Sequence, residues 1–286
     1  MGVLRSRRGI AYSEFERNMA KIHRDLEQRM HALPSRYKKH ICDRLYEPMN
    51  QCYNALIIAD EQKGSAQGAK EKRQKYFRTA LQWLMRMEKP LMAFCNIRDV
   101  SEEGREDLEK RLNYEIALIW GAAGWAKEES RTHRENGPSP IPRTAHEMEG
   151  KPVFHILRKD KMKRLAFLGK MAELHRYTFK KTAHAPNDAF DALSARIDEF
   201  CTNALYDVAM ANLREPRTRE EAQTRDAWLK DALDNLNAMQ RPMVGLWNIM
   251  DYSEKIMDEW AGMIDEEIRI LTGLREADRK RYSGLK

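Results

Sequence analysis

The sequence is short of the residues that make tight turns, covalent staples and membrane spans. Of 286 residues only 14 are glycine and 10 proline, which disfavours a fold of many short strands and favours long uninterrupted helices. Its four cysteines, Cys42, Cys52, Cys95 and Cys201, form no CxxC pair. A metal site or disulfide framework needs clustered spacing, so buried reduced thiols are the better reading. No stretch approaches the roughly 18 consecutive apolar residues of a membrane span. The basic start (Arg5, Arg7, Arg8) runs into polar, amphipathic residues 12–17, not into an apolar signal core. A cytoplasmic protein with no membrane partner is expected.

Catalytic signatures are missing as well. A di-iron bundle needs Glu-x-x-His pairs on two helices, and the histidines, including His31, His40, His175 and His184, are scattered. There is no P-loop, no glycine-rich dinucleotide turn and no His-Glu-x-x-His. Most carboxylates stand one helical turn from a Lys or Arg, as Glu106 does from Lys110, which is ordinary surface pairing. No enzyme activity is expected, and no catalytic residue, metal or cofactor is assigned.

What remains is charge and apolar periodicity: 33% charged and 42% hydrophobic residues, net charge +7. Phe15, Met19, Ile22, Leu26, Met30 and Leu33 recur at three- and four-residue steps, predicting a helix over 12–33 that Pro34 ends. A second helix over 35–60 carries Ile41, Leu45, Met49, Cys52, Leu56 and Ala59, with a kink at Pro48. After a polar loop at 64–68, a third helix over 70–95 carries Phe77, Leu81, Leu84, Leu91 and Phe94 and includes Pro90. Ser101, followed by Glu102 and Glu103, reads as the cap of a fourth, which runs through Leu108, Leu112, Ile116 and Ile119 to the glycines near Trp125.

Residues 126–153 break this pattern with Pro138, Pro140, Pro142, Gly150 and Pro152, the mark of a semi-rigid spacer. Beyond it the order returns. Leu165, Leu168, Ala172, His175 and Phe179 make one stripe, and Phe190, Leu193, Ile197, Cys201 and Leu205 another. A polar loop at 214–224 precedes helices over 228–249 and 253–274. Met87, Pro90, Asn96, Ile97, Asp99 and Ser101 recur at one constant offset as Met239, Pro242, Asn248, Ile249, Asp251 and Ser253. Arg73, Leu84, Glu115 and Ile116 recur at the same offset as Arg225, Leu236, Glu267 and Ile268. Cys52-Tyr53-Asn54-Ala55-Leu56 matches Cys201-Thr202-Asn203-Ala204-Leu205 at a slightly shorter one. Agreement at one register over this span indicates a tandem duplication. The expected fold is all-α: two tandem antiparallel four-helix bundles, 1–128 with a basic N-terminal tail and 154–286, joined by a Pro/Gly-containing linker at 129–153.

The run Leu33-Pro34-Ser35-Arg36, then Asp43-Arg44-Leu45, then a last helix closing at Gly121 and Gly124-Trp125, resembles the accessory variability determinant (Avd) family. These are four-helix-bundle proteins of diversity-generating retroelements. The second half keeps the architecture but has Gly273-Leu274 where Gly-Trp would stand, and Ala192-Leu193-Ser194 near the place of the Asp-Arg-Leu run. The resemblance implies a non-catalytic partner of a reverse transcriptase. Such proteins form basic, ring-like homo-oligomers that bind the polymerase together with template RNA and cDNA.

Charge gives the site candidates. Residues 151–181 hold ten Lys and Arg against only Asp160 and Glu173. Lys159, Lys163, Lys170 and Lys181 project opposite the Leu165/Leu168/Phe179 stripe, with Arg158 and Lys180 beside them. In the first half Arg17, Lys21 and Arg24 oppose Phe15, Met19 and Ile22. Such rows can follow a phosphate backbone and gain affinity by counterion release. Arg36, Lys38, Lys39 and Arg44 extend the patch, and Tyr37 is available to stack on a base or partner. Gly121, Gly124 and Trp125 make either a partner anchor or a cap on their own bundle; Trp83, Trp228, Trp247 and Trp260 read as core or inter-bundle packing. The bland alternative is a solvated face balanced by neighbouring acids, in a structural helical adaptor of a phage or mobile element with no nucleic-acid role.

Overall fold

The computed structural model describes residues 14–31, 33, 41–62, 67–125, 152–213 and 215–285, and every regular element among them is helical. Helix α1 spans Glu14–His31 and buries Phe15, Met19, Ile22, Leu26 and Met30, the stripe its spacing predicts. Helix α2 spans Asp43–Glu61 with Pro48 inside it. Where one kinked third helix is predicted, two form, α3 (Gln67–Arg86) and α4 (Glu88–Ile97). Pro90 has no N–H to give the Arg86 carbonyl, and the chain tightens there, with Met87 N donating to Leu84 O at 3.1 Å. Helix α5 is Glu102–Ala122; Ser101 Oγ accepts from Gly104 N at 3.2 Å, the cap its sequence predicts.

Residues 152–158 are extended and bury Phe154, Ile156 and Leu157. Helices α6 (Lys159–Arg164) and α7 (Ala166–Thr182) follow, separated at Leu165 by an extended backbone, φ −109°, ψ 96°. The two meet closely: a Cβ on Gly169 would lie 2.8 Å from the Met162 carbonyl oxygen. A π-helical turn, Phe190–Ser194, leads into α8 (Ala195–Ala211). Helix α9, Arg219–Met250, corrects the loop predicted at 214–224. Thr218 Oγ1 accepts from Glu221 N, and the Glu221 carboxylate accepts from Arg217 N at 2.7 Å, so the acidic turn starts the helix. Unlike α3 and α4, α9 runs unbroken through its proline, Pro242. Helix α10, Glu254–Arg281, continues past the predicted end at 274.

The chain forms two compact units. One comprises Met1–Glu88 and Glu106–Ile156, the other Lys89–Arg105 and Leu157–Lys286. In the first, Phe15 and Phe77 meet edge to face at 5.4 Å, within a core that includes Leu45, Leu84, Leu112 and Ile116. Asn113 clamps the extended segment onto α5: its Nδ2 donates to Phe154 O at 2.9 Å and its Oδ1 accepts from Phe154 N at 2.8 Å. Glu88 and Glu109 accept from the amides of His155 and Ile156. In the second unit Trp260 is fully buried and donates to Thr178 Oγ1 at 3.0 Å. The buried Arg105 guanidinium donates to the carbonyls of Val100, Leu157 and Cys95. The four cysteines are buried free thiols. No described helix is long and apolar enough to cross a membrane.

Two pairs of residues matched in the sequence repeat take matching states. Asp99 and Asp251 are the non-glycine residues with positive φ among those described, both at 49°. Glu115 and Glu267 are both buried carboxylates, at 0% and 1% exposure.

Candidate nucleic-acid interface

Helix α1 turns one sharply defined face outward. Its exposed positions are Glu14, Arg17, Lys21, Arg24, Gln28 and His31. Glu14 is the sole acid among them, and it accepts the hydroxyl of Tyr114. From Arg17 to His31, about 21 Å of helix at 1.5 Å per residue, the exposed face carries no carboxylate. The acids of α1 lie to the side: Asp25 receives Arg29 at 3.1 Å and Arg111 at 3.4 Å, and Glu27 faces His23 at 3.9 Å. Lys21 and Arg24 have no acidic partner among the described residues. Arg44 is exposed at the start of α2. Gln28 and His31, which extend the row, were legible only as neutral positions at the same helical step.

The second cluster is differently disposed. Lys159 Nζ pairs with Asp99 at 2.8 Å and also donates to its carbonyl, while its amide donates to Glu102 at 2.6 Å. The Lys159 ammonium bonded to Asp99 holds its carboxyl below the ordinary range. Arg158 approaches Glu102 at 3.6 Å. Lys170 binds Glu266, whose carboxyl the bond likewise holds down. Lys181 lies over the Tyr177 ring, 4.8 Å from its centre. Lys163 and Lys180 are exposed and have no acidic partner among the described residues. Three of these six cations, Arg158, Lys159 and Lys170, are therefore held by the protein's own carboxylates.

Gly124 takes φ +81° and Gly121 is exposed, with nothing near the place of a side chain at either. Trp125 is 7% exposed, packed edge-on against Trp120 at 5.0 Å and covered by the Arg78 guanidinium. The ring closes its own unit. Trp260 and Trp228 are core; Trp247, read as core or inter-bundle packing, is exposed and so not core. Arg36, Tyr37, Lys38 and Lys39 lie outside the described residues, as do the N-terminal tail and residues 129–151 of the linker.

Burial shifts the polar groups inside toward their neutral forms. Burial pushes Glu115 up to about 8 against a hydrogen bond from Asn18 at 2.7 Å. Burial also pushes Glu267 up to about 8, and neither of its oxygens has a hydrogen-bond partner. His175 is pushed down to about 3 by burial, with Arg176 adding to it; it bonds Asn96 through Nδ1 and Thr202 through Nε2. Among the described residues no group of three or more His, Cys, Asp or Glu side chains could hold a metal.

Searches for relatives find no family model, no curated protein and no solved structure that matches this chain.

Proposed function

We propose that this chain is a non-catalytic accessory protein of a diversity-generating retroelement, binding template RNA and cDNA through α1 and serving a reverse transcriptase as a homo-oligomer. The observation that carries the nucleic-acid part is the carboxylate-free exposed row from Arg17 to His31. At Lys21 and Arg24 a phosphate backbone meets no acidic partner among the described residues, whereas at Lys159 or Lys170 it would compete with Asp99 or Glu266. The row offers charge without base-reading geometry, so the affinity is salt-dependent and sequence-tolerant. The polymerase enters from the resemblance of Asp43-Arg44-Leu45 and Gly124-Trp125 to the accessory family.

We read the fold behind this as two diverged four-helix bundles in tandem, joined through the linker. The equal left-handed turns at Asp99 and Asp251 and the equally buried Glu115 and Glu267 support that reading.

The test is RNA binding across a salt series, with nuclease-treated protein. Arg17→Glu with Lys21→Glu is expected to weaken binding at least tenfold and to lower the salt slope by about 2, one per phosphate contact. Lys159→Glu with Lys170→Glu is expected to do much less. No binding by the unaltered protein, or equal effects of the two pairs, overturns it. A second reading, a structural adaptor without nucleic acid, draws support from the internally paired cations of the second unit. It predicts protein that purifies with an absorbance ratio free of nucleic acid and that binds no RNA.

A further inference from the structure

The second unit contains a contact whose repeat counterpart is split between two open surfaces. Asn96 is buried; its Nδ2 donates to Ala172 O at 2.9 Å and to His175 Nδ1 at 3.0 Å, and its Oδ1 accepts from Arg176 at 3.0 Å. Lys89, two turns earlier, donates to Asn203 at 2.9 Å. Every participant has an identical or like residue in the repeat register. Lys89 and Asn96 correspond to Arg241 and Asn248. Ala172, His175 and Arg176 correspond to Ala20, His23 and Arg24, and Asn203 to Asn54.

Arg241 and Asn248 are exposed at the end of α9. Beside them in the helix stand Val244, Trp247 and Ile249 at 56%, 37% and 53% exposure, three of the five large apolar side chains exposed among the described residues. Met92 and Cys95, the counterparts of Val244 and Trp247, are 1% and 0% exposed, and Ile97, the counterpart of Ile249, is half-buried. On the receiving side Arg24 and Asn54 are exposed. His23 is also oriented like His175. Its Nε2 bonds Asn50 Oδ1 at 3.0 Å, as His175 Nε2 bonds Thr202 Oγ1 at 3.1 Å, and its Nδ1 lies 3.9 Å from a Glu27 oxygen, beyond hydrogen-bond distance. A polar asparagine among solvent-facing apolar side chains is a poor surface and a good interface.

We propose that the Arg241–Ile249 face of one copy docks on the Ala20–Arg24–Asn54 face of a second copy of this chain. Asn248 takes the bonds that Asn96 makes, and Arg241 reaches Asn54 as Lys89 reaches Asn203. The two faces differ, so the contact is head to tail and leaves one of each face open until the chains close or continue. This deepens the homo-oligomer of the proposed function by naming its surfaces, and it stands without RNA or polymerase. Arg24 belongs both to this face and to the cationic row, so Asn54 is the residue to alter.

The experiment is light scattering on nuclease-treated full-length protein at micromolar concentration. The unaltered chain is expected at multiples of 33.6 kDa, while Ile249→Asp and Asn54→Arg are each expected as monomers. Mixed in equal amounts, the two variants are expected to give a dimer, because each retains the face the other lacks. Both positions are exposed, and circular dichroism checks that helicity is kept; Val244→Asp carries the same expectation as Ile249→Asp should the latter misfold. A monomeric unaltered chain, an oligomer that survives both substitutions, or a mixture that stays monomeric overturns the proposal. RNA binding measured on the same samples shows whether the nucleic-acid reading stands or falls separately.

Discussion

Asp99 and Asp251, matched in the repeat, both hold a left-handed backbone at φ 49°. Each lies just past a helix, two residues before the serine that starts the next. An L side chain there costs about 1 kcal/mol or more, least for Asp and Asn. Asp251→Gly is therefore expected to raise stability by about 0.5–1 kcal/mol and Asp251→Val to lower it by about 1–2 kcal/mol. Asp99→Gly should gain less, because it also gives up the Lys159 pair. Urea unfolding of the three variants checks the order.

The buried carboxylates set a pH dependence with a definite sign. Glu115 and Glu267 each move from an ordinary 4.5 to about 8, and Asp207 rises to about 7. A group raised in the folded state contributes fully below its unfolded value, and that contribution is lost as pH climbs through the folded one. His175 acts oppositely, from 6.5 down to about 3, so it costs stability only below about pH 6.5. Between pH 6.5 and 8 the carboxylates act alone. The melting temperature is expected to fall across that window. Glu115→Gln and Glu267→Gln are each expected to flatten the fall and to add about 1–3 kcal/mol at pH 8.5. A melting temperature that rises from pH 6.5 to 8 refutes the assignment.

Much of this was readable from residue order. The α1 stripe, the Ser101 cap and the repeat register follow from local spacing, and local spacing is what sequence carries. The break at Met87 and the unbroken helix at Pro242 were not readable, because the same proline is tolerated or not according to what packs around it. The basic run at 151–181 was visible, but its neutralisation was not: Asp99, Glu102 and Glu266 are far away in sequence. The α1 row was legible because its decisive feature, the missing acid, is a property of one helix face. The exposure of Trp247 and Ile249 eluded periodicity, which places residues on a face without saying whether anything covers it.

Arg105 is expected to be among the costliest single sites. It is 0% exposed, and its partners are neutral carbonyls; burial draws its pKa down. Arg105→Met takes a donor from three carbonyls, of which Cys95 O keeps the Val100 amide, a loss of about 3 kcal/mol. Arg105→Lys should recover little, since a single ammonium cannot span three acceptors set for a planar fork. Removing the exposed Glu106–Lys110 pair, by contrast, should cost under about 1 kcal/mol. Denaturant midpoints measured side by side decide between a structural clamp and an incidental contact.

Asn113 tests whether residues 152–158 are held or merely lie against the first unit. One amide side chain supplies both a donor and an acceptor to the backbone of Phe154, imitating the exchange between two strands with a residue that belongs to a helix. Phe154 itself is fully buried. Asn113→Ala should leave the ring in place but strand a buried carbonyl and amide, costing about 1–3 kcal/mol. Phe154→Ala should cost about 3–5 kcal/mol through the cavity it leaves. The sharper readout is local. Amide exchange at Phe154 should speed up in Asn113→Ala by far more than exchange at the α1 core positions Ile22 and Leu26. Asn113→Asp keeps an acceptor for the Phe154 amide but loses the donor to its carbonyl, so its exchange should fall between the two. If the amide of Phe154 exchanges as slowly in Asn113→Ala as in the unaltered protein, the segment is held without Asn113, by its apolar side chains and by Glu88 and Glu109.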